Sequence, residues 1–403
     1  MSESRKQLQD AYIVAASRTP VGKAQRGALR HVRPDEMLVH ALRAALAEVP
    51  SLDPASIEDA IIGCAMPEAE QGLNIARTAV LLAGLPQSVG GVTINRFCAS
   101  GLSALAMAAD RIRVGEADVM IAGGVESMSM VPMTGNTPSI SPHVFDKAEN
   151  IAIAYGMGLT AERVAERWKV SREDQDAFAV ESHRRALAAQ AAGEFDREIA
   201  AMTISGRHAN LSTGQVDIGN VAFERDEGPR SDTSAQALAR LKPVFAHKGS
   251  VTAGNSSQTS DGAGALIVVS ERALKLYNLT PLARFVGFSV RGVAPEVMGI
   301  GPKEAIPAVL RSTGLQQQDI DWIELNEAFA AQSLAVMRDL ELDPAKINPL
   351  GGAIALGHPL GATGAIRAAT VIHALQRRQL KYGMVTMCVG TGMGAAAILE
   401  RQG

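Results

Sequence analysis

The sequence has few of the residues that mark several classes of protein. It contains three cysteines in 403 residues, an odd and small number that excludes a disulfide-stapled framework and favours a reducing compartment. No run reaches the roughly 18 consecutive apolar residues of a membrane-spanning helix. The formal net charge is −3, so no net basic field favours binding to nucleic acid or to a membrane surface.

The rest of the composition is typical of a soluble protein with a sizeable core. Hydrophobic residues make up 47% and charged residues 20% of the chain, which excludes extended disorder. The first ten residues, MSESRKQLQD, are polar, so they predict no signal peptide. At about 150 residues per domain, the length predicts roughly two to three structural units. We expect a cytoplasmic α/β protein.

Hydrophobic periodicity predicts the same order of elements near both ends of the chain. The first third is predicted to contain strands Ala11–Ala16, Asp59–Gly63, Gly91–Asn95 and Asp118–Ala122, and helices Asp35–Glu48, 72–84 and 98–115. The last third is predicted to contain strands Ala283–Ser289, Trp322–Leu325, Met384–Cys388 and Ala395–Glu400, and helices after Pro302, at Ala328–Asp339 and at Ala365–Arg378.

A fixed shift relates the two sets of elements. Ile57 and Ile320 lie 263 positions apart, and the same shift places Cys98–Gly101 on Gly361–Gly364. Shared strand order, helix order and a glycine-anchored turn predict a duplicated fold, although α/β units also resemble one another generically.

A polar, loop-rich segment separates the two copies. It runs from about Ser129 to Ser260 and contains predicted helices at Glu162–Trp168 and Asp174–Ala191, the second of them capped by Ser171. Ala263–Ser270 then reads as a strand that returns to the first copy. A long insertion between repeats usually covers a site at the carboxyl ends of the strands.

Cys98 is the first candidate for chemistry. It stands where a predicted strand turns into a helix whose first eleven residues, 99–109, carry no charge. Unpaired N–H groups and the helix dipole at that place would lower the thiol pKa and favour the thiolate. A free cysteine also packs as a small apolar residue, and this alternative stays open.

His358 lies in a glycine-rich turn, LGHPLGATG at 356–364. A following proline and three glycines allow a rigidly held imidazole to approach a thiol closely and to act as its base. The alternative is a structural histidine in a turn.

Cys388, Asn326 and Cys64 each follow or end an apolar strand. Cys388 precedes VGTGMG, whose backbone N–H groups could form an oxyanion hole or could simply serve a hairpin. Asn326 could hold a water or donate to a developing oxyanion, or it could simply cap the next helix. Cys64 has no glycine-rich continuation, so we interpret it as structural.

The sequence predicts no metal site and no phosphate loop. Three scattered cysteines and eight histidines show no C-x-x-C or H-x-x-x-H spacing. No GxxxxGK[ST] motif is present either.

Four motifs in this order resemble those of the thiolases. They are NRFCASGLSAL at 95–105, NEAFAAQ at 326–332, GHPLGATG at 357–364 and CVGTGMG at 388–394. The resemblance covers nearly the whole chain and includes GGVESMS at 123–129, VTAGNSSQTSDGAGA at 251–265 and MGIGP at 298–302.

The resemblance implies an α/β fold of two similar αβαβα halves that form a five-layered core, with an inserted loop domain. The first half is implied to span residues 1–128 and to be completed by residues 260–280. Residues 129–259 would form a loop domain that covers the active site and CoA, and residues 281–403 would form the second half.

The resemblance also implies an acyltransferase that cleaves 3-ketoacyl-CoA with CoA in a reversible Claisen reaction. Cys98 would be the nucleophile, His358 its base, and Cys388 the acid and base at the leaving carbon. One oxyanion would be stabilised by His358 and a water held by Asn326, the other by the N–H groups of Cys98 and Gly390. The CoA-binding residues would be Ser257 at the pantetheine and Arg230 at the adenine.

Further implications concern partners and substrate. CoA enters as a substrate, so no cofactor is expected, and the family forms homodimers or homotetramers, some associated with other β-oxidation enzymes. Thiolases that make acetoacetyl-CoA carry a His-Met-Gly in the loop domain, whereas this chain has Gly156 in place of the histidine. Together with NPLGG at 348–352 and DEGPRSDTS at 226–234, this favours the degradative branch and room for longer acyl chains.

Three alternatives compete with a degradative thiolase. A biosynthetic acetoacetyl-CoA thiolase would differ mainly in the length of the acyl chain that it accepts. A decarboxylating 3-ketoacyl synthase uses His-His or His-Asn partners and lacks a second cysteine in the closing glycine loop, which Cys388 argues against. A catalytically silent acyl-CoA-binding relative would not need all four reactive positions to be occupied.

Overall fold

The computed structural model describes residues 8–403, so the first seven residues of the polar N-terminal stretch lie outside the described residues. The strands are β1 Ala11–Arg18, β2 Gly22–Lys23, β3 Asp59–Gly63, β4 Val92–Ile94, β5 Val119–Ser127, β6 Met202–Asn210, β7 Gln215–Phe223, β8 Ser260–Ser270, β9 Ala283–Gly292, β10 Trp322–Leu325, β11 Tyr382–Val389 and β12 Met393–Arg401. The helices are α1 Pro34–Ala47, α2 Ile75–Leu82, α3 Ser100–Arg113, α4 Met157–Arg167, α5 Arg172–Ala191, α6 Ala235–Ala239, α7 Glu271–Leu276, α8 Gly301–Thr313, α9 Ala330–Asp339, α10 Ala353–Leu356 and α11 Leu360–Arg378.

One large mixed sheet forms the core, in the order β10-β11-β12-β9-β1-β8-β5-β3-β4. Read outward from its centre, the order is β1-β8-β5-β3-β4 on one side and β9-β12-β11-β10 on the other. The pairs β3/β5 and β10/β11 are parallel, whereas β5/β8 and β11/β12 are antiparallel. The two halves therefore share one topology, which confirms the predicted duplication, and they meet where β1 pairs with β9.

Helices α3 and α11 lie between the two halves of the sheet, since each contacts strands of both halves. Helix α1 packs on the outer face of the first half and α8 on the outer face of the second. The order of layers is thus helix, sheet, helix, sheet, helix, which agrees with the expected five-layered α/β fold.

Two glycines explain how closely the central helices approach. A Cβ at Gly101 would lie 2.8 Å from the backbone N of Ala365, and one at Gly364 would lie 2.1 Å from the backbone N of Leu102. Gly101 and Gly364 are the pair that the 263-residue shift aligns. The duplicated glycine therefore serves the contact between α3 and α11 at equivalent places in both copies.

The uncharged stretch after Cys98 forms a helix that is buried on all sides except at Met107, which is 41% exposed. Every other residue of α3 from Ser100 to Ala109 is buried. Its small side chains allow this burial, because they fill the narrow space between the sheet halves without large voids.

The segment between the halves carries α4, α5, α6 and the hairpin β6–β7. The Ser171 hydroxyl accepts the N–H of Asp174 at 3.1 Å, so the predicted cap of α5 is confirmed. The hairpin was not predicted. Arg18 at the end of β1 ties the segment to the first half through ion pairs of 2.7 Å with Glu198 and Asp226. The domain bounds 1–128, 129–259 and 281–403 stay a prediction.

No helix among residues 8–403 combines the length and the apolar character needed to cross a membrane.

Candidate active site

Cys388 and Asn326 lie at the same edge of the sheet. Cys388 is the penultimate residue of β11, and Asn326 follows β10, its parallel neighbour. The N–H of Asn326 donates to the carbonyl of Thr386 at 2.9 Å, which fixes the spacing of the two strand ends. Parallel strands bring their carboxyl ends together, so a local strand pattern is enough to place these two residues close to each other.

Cys98 lies in a 3-10 turn, Phe97–Ala99, which precedes α3. Phe97 has a φ of 43°, a left-handed conformation that bulky residues rarely adopt and that is often found at functional sites. The turn is held by the Asn95 side chain, which accepts the N–H of Phe97 at 2.8 Å, and by the Ser100 hydroxyl, which donates to the Phe97 carbonyl at 2.7 Å. Cys98 is partly exposed and packs against the cluster of Ala65, Met128 and Leu360.

His358 is held from both its backbone and its ring. Its N–H donates to the Gln258 carbonyl and to the Ser260 hydroxyl, each at 3.1 Å. The ring Nε2 lies 3.4 Å from Asn326 Nδ2, and Nδ1 lies 2.7 Å from Thr363 Oγ1. Burial, with a smaller effect of the Arg367 charge, lowers the pKa of His358 to about 3. The imidazole is therefore neutral at rest.

Both candidate thiols are also neutral at rest. Burial raises the pKa of Cys98 to about 12, although the N–H groups of Cys98 and Gly390 both point at its sulfur and lower the pKa. The predicted lowered pKa of Cys98 is therefore wrong, because loss of solvent outweighs the N–H groups. Burial, with a smaller electrostatic effect of the nearby Cys98, raises the pKa of Cys388 as well. This effect of Cys98 on Cys388 agrees with the close approach of their neighbours, since a Cβ at Gly390 would lie 3.5 Å from the Phe97 ring.

Five predicted site residues thus come together. Cys98 lies near the N–H of Gly390 and packs against the cluster that contains Leu360, two residues after His358. His358 contacts Asn326, whose backbone is bonded to the strand that carries Cys388. Their chemical roles stay a prediction.

Arg230 lines a separate cavity of about 560 Å³, whereas Ser257 is not among its lining residues. Its lining includes three cationic side chains, Lys23, Arg26 and Arg230. The Arg230 side chain is 58% exposed and pairs with Asp232 at 2.8 Å. Ser257 donates its N–H to the Ala328 carbonyl at 2.9 Å, and the next residue, Gln258, lines the cavity and also accepts the N–H of His358. The basic cavity and the crevice therefore share a wall.

The start of α4, in the inserted segment, packs against the crevice. Met157 packs with Cys388, and its sulfur would lie 3.7 Å from a Cβ at Gly390. A Cβ at Gly156 would meet no atom within 4 Å. Gly156 therefore borders open space and could carry a side chain without a clash.

The sequence reasoning missed two buried residues of the site, Glu126 and Thr363. Glu126 accepts the N–H groups of Ala65 and Gly361, both at 2.8 Å. Glu126 lies beyond the end of the predicted strand Asp118–Ala122 but inside the observed strand β5, which continues to Ser127. A charged residue inside such an apolar strand needs partners, and this was the signal that could have found it.

Cys64 is fully buried, and its sulfur lies 3.9 Å from Glu126 Oε1. Burial raises its pKa, so the thiol stays protonated. This agrees with its interpretation as a structural residue. Among the residues that the structure describes, no group of three or more His, Cys, Asp or Glu could hold a metal ion.

Two thiols and one imidazole in a single crevice, with two N–H groups aimed at one sulfur, are typical of an enzyme that transfers an acyl group through a cysteine thioester. Comparison with known proteins identifies the family. The model of "Thiolase, N-terminal domain" matches residues 11–272, and that of "Thiolase, C-terminal domain" matches residues 279–401.

Relatives match over nearly their full length. A 3-ketoacyl-CoA thiolase of Bacillus subtilis is 48% identical, covering 98% of this chain and 100% of that protein. A beta-ketoadipyl-CoA thiolase of Pseudomonas aeruginosa is 44% identical, with 97% and 99% covered. The crystal structure of human mitochondrial 3-ketoacyl-CoA thiolase has a TM-score of 0.87 at 37% identity, with 98% and 99% covered. The chain belongs to the thiolase family and is an acyltransferase.

Proposed function

We propose that the protein cleaves 3-ketoacyl-CoA with CoA to acetyl-CoA and a shortened acyl-CoA, and runs the reverse Claisen condensation. The observation that carries this proposal is the convergence of Cys98, Cys388 and His358 in one crevice. The names of the relatives, 3-ketoacyl-CoA thiolase among them, agree with it.

In the first half-reaction, Cys98 attacks the keto carbon of the substrate and its proton passes to Nε2 of His358. Because the pKa of the free thiol is high and that of the imidazole is low, the proton moves during the attack and not before it. Negative charge forms on the keto oxygen, next to the carbon that Cys98 attacks. The N–H groups of Cys98 and Gly390, which already point at this sulfur, are placed to stabilise that charge.

The bond between the second and third carbons then breaks. The electron pair passes to the acetyl-CoA fragment, whose thioester oxygen becomes negative. The imidazolium of His358 and a water held by Asn326 stabilise this oxygen; the Oδ1 of Asn326 is buried without a hydrogen-bond partner in the protein, which leaves it available to bind such a water. Cys388 protonates the carbon and becomes a thiolate.

In the second half-reaction, the Cys388 thiolate removes the proton of incoming CoA. The CoA sulfur attacks the acyl group on Cys98, and the departing Cys98 sulfur recovers its proton from His358. Both thiols and the imidazole return to their neutral states, so the cycle balances in protons and requires no metal or cofactor.

The basic cavity beside Gln258 is the proposed site for CoA. Lys23, Arg26 and Arg230 supply positive charge for its phosphate groups. Ser257, between this cavity and the crevice, would bond the pantetheine arm. The shared wall at Gln258 gives the arm a short path from the cavity to Cys98.

A second candidate is a thiolase specific for acetoacetyl-CoA. The crystal structure of the Bacillus anthracis acetyl-CoA acetyltransferase has a TM-score of 0.87 at 39% identity, covering 98% of this chain. The fold therefore does not separate the two activities. The open space at Gly156 favours longer substrates and hence the degradative reaction.

We also propose a cytoplasmic homo-oligomer, a dimer or a tetramer, that can associate with other β-oxidation enzymes. Three free cysteines support a reducing compartment. Strand β4 ends the sheet with Val92 40% exposed, and Leu73 nearby is 99% exposed; apolar residues on a sheet edge favour pairing with a second copy. Light scattering during size-exclusion chromatography tests this, and a monomer would contradict it.

The activity itself is tested with purified protein and 3-ketoacyl-CoA. The absorbance of the substrate enolate with Mg²⁺ is expected to fall only after CoA is added, with equal amounts of acetyl-CoA and shortened acyl-CoA formed. A silent acyl-CoA-binding protein would bind the substrate and leave the absorbance unchanged. A decarboxylating synthase would release CO₂ from a malonyl donor, which we do not expect.

A further inference from the structure

The two ring nitrogens of His358 have different partners. Nε2 faces Asn326 Nδ2 at 3.4 Å, and Nδ1 faces Thr363 Oγ1 at 2.7 Å. All three side chains are buried, with exposures of 4% for His358, 2% for Asn326 and 1% for Thr363. At such burial each polar group needs a matching partner, because an unmatched pair of donors is costly.

These contacts select one tautomer of the neutral imidazole. The Nδ2 of a carboxamide can only donate, so Nε2 must accept. The single ring proton then lies on Nδ1 and is donated to the oxygen of Thr363. This tautomer makes Nε2 the ring nitrogen that carries the lone pair, and Nε2 exchanges its hydrogen bond from Asn326 for the Cys98 proton when it acts as the base.

Thr363 is held rigidly. It lies in the first turn of α11, and its backbone N–H donates to the Pro359 carbonyl at 3.2 Å. The same turn is fixed by Glu126, which accepts the N–H of Gly361. The hydroxyl of Thr363 is therefore presented to the ring by a buried helix end and not by a flexible loop.

A neutral acceptor at Nδ1 suits the chemistry proposed above. A carboxylate there would stabilise the imidazolium at rest, whereas a hydroxyl orients the ring without adding charge. The positive Arg367 nearby acts in the same direction and lowers the pKa of His358, after the larger effect of burial. His358 then accepts a proton only while Cys98 attacks.

We propose that Thr363 is a positioning residue that holds His358 in the tautomer whose Nε2 takes the Cys98 proton. This rests on the proposed role of His358 as the base. During the attack the S–H bond breaks, the S–C bond forms, and the proton adds to Nε2, while Nδ1 keeps its own proton and its bond to Thr363. The proton on Nε2 returns to the Cys98 sulfur at the end of the cycle.

The test compares Thr363→Val, Thr363→Ser and Thr363→Ala in the full-length protein. Removing the hydroxyl is expected to lower kcat by about 10–100-fold, the usual effect of losing a group that orients a histidine ligand or base, with KM for CoA within about twofold of the original. Thr363→Ser keeps the hydroxyl and is expected to retain most of the original kcat. Thr363→Ala removes the hydroxyl without placing a methyl group against the imidazole, and it serves if the valine variant fails to fold.

Thr370→Val is the matched control. Thr370 is another threonine of α11 with 1% exposure, and its hydroxyl bonds Glu198 at 2.8 Å and not the imidazole. It is expected to lose stability but to keep kcat. An original kcat in Thr363→Val or Thr363→Ala, or a serine variant as slow as the alanine one, would overturn the role of Thr363. Absence of thiolysis in the unmodified protein would instead overturn the proposed function.

Discussion

The carboxylate of Glu126 accepts the backbone N–H of Gly361 at 2.8 Å. This bond joins β5 of the first half to the first turn of α11 in the second. The same carboxylate accepts N–H groups of Ala65 at 2.8 Å and Gln71 at 2.7 Å. One buried side chain thus holds both the turn after His358 and the segment around Cys64.

Replacing Glu126 by glutamine is expected to destabilise the protein by about 2–3 kcal/mol. All of its hydrogen-bond partners are donors, so the new amide N–H₂ faces N–H groups and leaves them unpaired in a buried place. Urea unfolding measures the loss. Glu116→Gln is the control, because Glu116 pairs with Arg111 at the surface, where such pairs contribute about 0–1 kcal/mol. Equal losses in both variants would contradict this account of Glu126.

Gly156→His is expected to shift the preference of the enzyme toward short acyl chains. A side chain there enters open space next to Met157, which packs against the cluster that contains Cys388. The backbone φ of −62° accepts any residue. The unmodified enzyme should have a higher kcat/KM for 3-ketooctanoyl-CoA than for acetoacetyl-CoA, and the histidine should reverse this order. Gly156→Ala, which adds only a methyl group, should change the ratio much less. A strong preference of the unmodified enzyme for acetoacetyl-CoA would refute the assignment.

The low pKa of His358 predicts how stability depends on pH. Its pKa falls from an ordinary 6.5 to about 3 on folding, so between these values the unfolded chain binds more protons than the folded one. The contribution of neutral His358 is complete above pH 6.5 and is lost progressively as pH falls toward 3.

Between pH 7 and pH 4.5 this loss amounts to about 2 kcal/mol for the His358 site. The free energy of unfolding is measured in urea at pH 7 and at pH 4.5 for the original protein and for His358→Gln. The difference between the two proteins isolates the contribution of His358, because the contributions of other groups cancel. The original protein should lose about 2 kcal/mol more than the variant. A difference that does not change with pH would show that His358 titrates normally in the folded state.

Much of the fold could be predicted from the sequence because its signals are local. Strands β3 and β10 have the predicted bounds, Asp59–Gly63 and Trp322–Leu325, since short apolar runs there end at polar or glycine residues. The hairpin β6–β7 was missed because side chains such as Val216, Ile218 and Val221 are at least 60% exposed, so its pattern of buried residues is weak.

The residues of the site could be predicted from the sequence, but the direction of the Cys98 pKa shift could not. Strand ends and glycine turns located Cys98, His358 and Cys388, but the direction of the Cys98 pKa depends on burial by segments distant in the chain. Glu126 and Gly361 are 235 residues apart, and no pattern of neighbouring residues in the sequence predicts such a contact. For the same reason the hydroxyl of Thr363, although inside a recognised motif, gave no signal of its bond to the imidazole.

The most direct test of the account is mass spectrometry of peptides after incubation with an acyl-CoA. Cys388→Ser lacks the group proposed to activate CoA but keeps the nucleophile, so the account predicts an acyl group on the Cys98 peptide and none on the Cys64 peptide. Cys98→Ser should carry no acyl group, and neither variant should turn over 3-ketoacyl-CoA. An acyl group on Cys388 or Cys64, or full turnover by Cys98→Ser, would contradict the central claim that Cys98 forms the thioester.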